Sequence, residues 1–145
     1  MDFAELLRIN SIEKEFLLGI VLALICGFVV GIERESRGKP AGVSTHTIII
    51  AAAMLFTFMS RILGAGDPTR IAAQIVSGVG FLGAGIIMKS ESTNTVSNLT
   101  TAASIWFSAA IGMALGFNLH FIAIVATLYA VLVNRIPKIG KRNYT

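Results

Sequence analysis

The sequence predicts an all-α membrane protein, a compact bundle of five transmembrane helices with the N-terminus outside and the C-terminus in the cytoplasm. Three observations carry this reading. Hydrophobic residues make up 54% of the 145-residue chain and charged residues only 14%, with a mean hydropathy of +0.77, beyond the range of ordinary soluble domains. The run Ile71 to Met88, IAAQIVSGVGFLGAGIIM, has 18 residues and no charge. As a helix it is about 27 Å long, close to the hydrocarbon thickness of a bilayer. The largely apolar run Leu99 to Ile136 has 38 residues; as one helix it would reach roughly 57 Å, so it must fold back to stay within that layer.

The length has room for one domain, here divided into an N-terminal interfacial segment (1–15), a transmembrane domain (16–136) and a basic cytoplasmic tail (137–145). Met1 to Glu15 mixes charges without the basic start and small-residue cleavage site of a secretory signal. Phe3, Leu6 and Leu7 have helical spacing suited to a membrane interface, and Asn10 with Glu13 has the spacing of a helix-start cap. The first span, Phe16 to Ile32, repeats Gly19, Ala23, Gly27 and Gly31 every fourth residue. Helices in lipid gain little hydrophobic free energy from meeting, so close approach across small side chains is a main source of association. This stripe is expected to meet either the glycine-rich third span or a second copy of the chain.

Gly38, Pro40 and Gly42 make Glu33 to Thr45 a turn-rich loop, with Ser44 or Thr45 as the cap of span two, which runs from His46 or Thr47 to Leu63. Arg61 can snorkel to the interface. Asp67 as N-cap with Pro68 at the first helical position then starts span three. On its helical wheel Ala73, Ser77, Gly80 and Ala84 form one slim stripe and Gln74, Gly78 and Gly85 a second. Two such faces predict neighbours on more than one side, with Gly83 joining the packing residues. The Gly78-x-Gly80-x-x-Gly83 spacing matches a dinucleotide-binding fingerprint, but the preceding strand and the acidic residue about 20 positions on are missing. Gly116, Asn118 and His120 mark the reversal between span four (Leu99 to Leu115) and span five (Leu119 to Ile136).

With five spans, one side collects eight basic residues (Arg34, Arg37, Lys39, Lys89, Arg135, Lys138, Lys141, Arg142) and the other four (Arg8, Lys14, Arg61, Arg70). Positive charge favours the cytoplasm, which sets the orientation. The net charge of +4 and pI near 9.6 reflect this and anionic headgroups rather than nucleic-acid binding. The lone Cys26 permits no internal disulfide and reads as a small buried hydrophobe.

Polar residues gather at the cytoplasmic ends of the spans: Glu33 and Arg34, Thr45 and His46, Asn98, Thr100 and Thr101. Together they form the candidate contact surface for a partner or ligand. On the outer side stand Asp67, Arg70 and Gln74, of which Gln74 lies inside the span and needs a partner on another helix. Catalysis is not expected: metalloprotease and nucleophile-elbow motifs are missing, and His46 and His120 read as interfacial residues at opposite faces. No cofactor or metal site is expected. All eight carboxylates lie outside or at the edge of the spans, which disfavours an ion-coupled pump. A pore lined by hydroxyls, amides and carbonyls stays open as the rival reading.

Gly31-x-Glu33-Arg34, Ala41-Gly42-x-x-Thr45, the run from Asp67-Pro68-x-Arg70 to Gln74, VSGVGFLGAGII (Val76 to Ile87) and LTTAASIW (Leu99 to Trp106) together resemble the transmembrane domain of the MgtC/SapB family over residues 16–136. The resemblance implies a multi-pass bacterial inner-membrane protein linked to adaptation to low magnesium and to intracellular survival and virulence. It implies action by binding other inner-membrane proteins, including the proton-translocating ATP synthase, and places weight on Glu33, Arg34, Thr45, Asp67, Arg70, Gln74, Thr100 and Thr101. A homo-oligomer, first of all a dimer, is expected. The rival under the same resemblance is a Mg²⁺ or other cation channel or transporter. Ser44 and Ser97-Asn98 stand where the family often has Arg and Arg-Gly, lowering the positive charge there. The chain also stops soon after span five, whereas longer members carry a soluble C-terminal domain.

Overall fold

The computed structural model describes residues 10–64, 67, 69–89 and 96–136. Five helices follow one another: α1 (Ser11–Ser36), α2 (Val43–Leu63), α3 (Arg70–Ile86), α4 (Leu99–Gly116) and α5 (His120–Arg135). Three of them, α1, α2 and α4, are long and apolar enough to cross a membrane, and α3 and α5 are apolar but shorter. Phe81, Phe121 and Leu132 are among many large apolar side chains that point outward, as expected where the solvent is lipid. The interfacial segment's first nine residues, Pro68, the 90–95 connection with Glu91, and the basic tail from Pro137 lie outside the described residues.

α1 starts earlier than the first span alone requires. The Asn10 side chain accepts the Glu13 N–H at 2.9 Å, and the Glu13 carboxylate accepts the Asn10 N–H at 2.6 Å. This capping box satisfies two of the donors a helix start leaves open. At the far end Gly38 takes a left-handed φ of +63° and turns the chain. The start of α2 corrects an expectation: its cap is Gly42, not Ser44 or Thr45. Glu35 instead reaches forward to accept the Val43 N–H at 3.1 Å.

Four helices form a closed ring, α1 against α2, α2 against α4, α4 against α5, and α5 back against α1; α3 lies outside it, against α4 and α2. Ala23, Cys26, Val30, Ile50, Met54, Phe58, Ile111 and Leu115 fill the inside of the ring. A second cluster, with Ile49, Ala53, Ile75, Val79, Ile105 and Ala109, sits between α3 and the α2–α4 wall.

The glycines explain the close approach and correct two expectations. A Cβ on Gly27 would stand 2.8 Å from the Thr47 nitrogen, one on Gly31 2.7 Å from the Val43 nitrogen, and one on Gly19 3.2 Å from the Met54 sulfur. The α1 stripe therefore packs on α2 within the chain and not on the third span. On α4 the small residues Ser104, Ser108, Gly112 and Gly116 recur every fourth position. A Cβ on Gly112 would press on the Ala53 Cβ at 2.8 Å, and one on Gly116 on the Met54 carbonyl at 2.6 Å.

α3 was expected in the middle, crowded on several sides, but it is the outlying helix. Its buried side is Ala72, Ile75, Val79 and Gly83, whereas Ala73, Gln74, Ser77, Gly78, Gly80, Ala84 and Gly85 face outward. A Cβ on Gly83 would meet the Ala102 Cβ at 3.7 Å, and one on Gly78, Gly80 or Gly85 would meet nothing within 4 Å. The β-branched Ile75 and Val79 supply the apolar area that docks this helix, so its slim faces are left over. The Asp67 carboxylate accepts the Thr69 N–H at 2.9 Å and its hydroxyl at 2.6 Å. The helix proper starts at Arg70 with Thr69 in the cap position.

After α3, Met88–Lys89 and Val96–Ser97 pair as a two-stranded antiparallel ladder, Met88 opposite Ser97. Asn98 then takes a left-handed φ of 65° and its side-chain N–H donates to the Ile86 carbonyl at 3.2 Å. It thus ties the end of α3 to the start of α4. The reversal expected at Gly116 to His120 is where α4 ends and α5 begins, with Asn118 at a φ of 60°.

Candidate functional site

The polar residues at the joined ends of α1, α2, α4 and α5 converge, and they do so inside the protein. Arg34 stands in the last turn of α1 and is only 2% exposed. Its guanidinium donates to the Asn134 side chain of α5 at 3.2 Å and to the Thr101 hydroxyl of α4 at 3.1 Å. Asn134 in turn donates to Ser104 at 3.4 Å. A turn deeper, His46 of α2 is fully buried with its Nδ1 2.8 Å from the Ser108 hydroxyl. Thr101, Ser104 and Ser108 occupy positions i, i+3 and i+7 of α4, one face of the helix, so one strip of hydroxyls serves three neighbouring helices.

Arg37 closes the outer edge. It pairs with Glu33 at 3.4 Å and donates to the Asn134 backbone carbonyl in the last turn of α5, where a cation also complements the helix dipole. Glu33 is 4% exposed. Two guanidinium groups thus face one carboxylate, which leaves the cluster basic. Among the described residues, Glu33 Oε2, Arg34 Nε and His46 Nε2 have no hydrogen-bond partner.

This placement corrects the sequence reading of a contact surface. Glu33, Arg34 and Thr101 turn toward one another and are buried, because the Gly27 and Gly31 contacts bring the start of α2 over them. His46, read as interfacial, is buried for the same reason. Thr45 is half-buried, Thr100 is exposed, and among the described residues neither joins the network. Asp67 and Arg70 lie toward the opposite end of α2 from Arg34, separated by its 21 residues, about 31 Å, and Gln74 lies one turn into α3. Thr69 holds the Asp67 carboxylate below the usual range by donating its hydroxyl and its N–H. Gln74 is exposed, and among the described residues it makes no bond to another helix.

Sequence reasoning missed Ser104, Ser108 and Asn134. The hydroxyl spacing on α4 and an amide inside an apolar helix were the available signals. It also missed a second tie at the other end of the ring: Arg61 pairs with Glu15 at 2.6 Å, donates to the Gly116 carbonyl at 3.2 Å and lies 5.4 Å from the Phe58 ring centroid. A snorkelling side chain was expected there, and the side chain instead fastens α2 to α1 and α4.

The MgtC family model matches residues 20–142. Protein MgtC of Brucella abortus (strain 2308) is 47% identical over 115 residues, covering 79% of this chain and 48% of that protein. The putative magnesium transporter YhiD of Escherichia coli (strain K12) is 41% identical over 128 residues, 82% of this chain and 59% of the relative. Protein SapB of Bacillus subtilis (strain 168) is 36% identical over 132 residues, 83% and 56%. The chain therefore spans about half the length of the curated relatives it matches. No solved structure is significantly similar to it.

Proposed function

Because the chain belongs to the MgtC family, we propose that it is a magnesium-linked inner-membrane protein that works by engaging other membrane proteins rather than by conducting ions. In this reading all five helices cross the bilayer, with the N-terminus outside and the C-terminus in the cytoplasm. The observation that supports it best is the character of the polar interior. Its centre is the Arg34 guanidinium, bonded to Asn134 and Thr101, with Arg37 and a single carboxylate beside it. A cation entering there meets like charge in a medium of low dielectric, which costs several kcal/mol. The network acts as a clasp on three helices. Interaction then falls to outward faces, of which the Ala73, Ser77, Gly80 and Ala84 side of α3 offers the closest approach to a partner helix carrying its own small residues.

The relative named a putative magnesium transporter supports the other reading, a Mg²⁺ channel or transporter. Liposomes loaded with a Mg²⁺-sensitive dye separate the two. The purified chain should give no saturable Mg²⁺ entry above empty liposomes, and saturable entry abolished by Arg34→Leu would overturn the proposal. A photo-crosslinker at Ser77 should capture a specific membrane protein that the same probe at lipid-facing Phe121 does not.

A further inference from the structure

Between α2 and α3 runs a groove of about 410 Å³ lined by Ile48, Ile49, Phe56, Gln74, Gly78 and Leu82, among others. Apart from Gln74 the lining is apolar. At Gly78 the groove is widened by the missing side chain, since a Cβ there would meet nothing within 4 Å. From Ile48 to Phe56 the groove follows α2 for roughly 12 Å. An apolar trough of that length is long enough for part of a single hydrocarbon chain.

Polar groups stand toward the α3 start of the groove. Gln74 stands one turn inside α3, and Arg70, four residues earlier on the same side of the helix, is exposed at its start. Among the described residues Arg70 forms no hydrogen bond through its side chain and no ion pair. Its nearby carboxylate, Asp67, bonds Thr69 and attracts Arg70 through space without a direct side-chain contact. An exposed amide within the span lacks a partner in hydrocarbon, and an exposed guanidinium one turn farther out is suited to phosphate.

We propose that this groove is a binding site for one glycerophospholipid, with an acyl chain lying over Gly78 between Ile48, Phe56 and Leu82. Gln74 donates to the ester carbonyl level and Arg70 to the phosphate. The site lies about a third of a turn away from the Ser77 and Gly80 face, so lipid and protein partner occupy different sides of α3.

The test is reconstitution of the whole chain into phosphatidylethanolamine and phosphatidylglycerol bilayers with a phosphatidylglycerol carrying a photoactivatable acyl chain, followed by mapping of the adducts. Labelling should concentrate on Ile48, Phe56 and Leu82, about tenfold above Phe121 and Leu132 on α5. Gly78→Leu, whose Cβ meets nothing within 4 Å, projects a side chain into the groove and should cut that labelling about tenfold, while Phe121 labelling and helix content stay unchanged. Native mass spectrometry should show one retained lipid per chain, lost more readily in Arg70→Gln. Uniform labelling over all lipid-facing residues overturns the proposal, as does undiminished labelling in Gly78→Leu. So does a protein crosslink from a second copy at Gly78 in place of a lipid adduct.

Discussion

Arg34 ties α1 to both α4 and α5, and its loss should be felt as lost stability. Arg34→Leu leaves the Asn134 amide oxygen and the Thr101 hydroxyl without their donor, and the Glu33 carboxylate with one fewer nearby cation. We expect a cost of about 2–4 kcal/mol in reversible unfolding from mixed micelles, with Asn134→Leu costing less and the double mutant less than the sum. Asp67 makes a separate prediction in pH. Its folded pKa lies below 3.8, so the stabilising hold on Thr69 is fully present above that ordinary value and is lost as pH falls through the lowered one. Backbone amide exchange at the start of α3 should rise on acidification, after subtraction of the intrinsic rate, and Asp67→Asn should remove that dependence. At this scale the sequence showed which residues were polar within apolar surroundings but not where they pointed. Arg34 and Thr101 stood out, yet their burial depended on how closely α2 approaches α1, which no single residue encodes.

For the helices, glycines at similar spacing have opposite meanings. Gly27→Ala drives a methyl group into the Thr47 backbone and should cost about 1–3 kcal/mol as the helices part. Gly80→Ala meets nothing within 4 Å and should be neutral or stabilising by up to about 1 kcal/mol, because alanine loses less backbone entropy in a helix. Thermal melts of both variants in one detergent check the contrast, and equal shifts would contradict it. The stripe on α1 was legible as a packing face, but its partner was not: small residues admit any neighbour. The every-fourth-residue series from Ser104 to Gly116 was equally legible and marks the true central helix. On α3 the large residues, Ile75 and Val79, decided the buried side, and the conspicuous glycines drew attention to the wrong one.

For the whole molecule, a ring fastened at both ends by arginines, with α3 leaning on one side, implies uneven stability. Helices that pack on one side only open more readily than those enclosed. Hydrogen exchange in micelles should therefore release α3 amides about tenfold sooner than those of α4, and equal protection would contradict the arrangement. Five helices and the turn near Asn118 were readable from run lengths and turn residues alone. The order of neighbours was not, because lipid leaves hydrophobic periodicity nearly silent: outward and inward residues are both apolar, and only shape distinguishes them.

Asn98 has a wider bearing. Its side chain holds the last turn of α3 through the Ile86 carbonyl, and three residues later Thr101 accepts from Arg34. The outlying helix and the innermost guanidinium are thus joined by a short chain of contacts, one amide and less than a turn of α4.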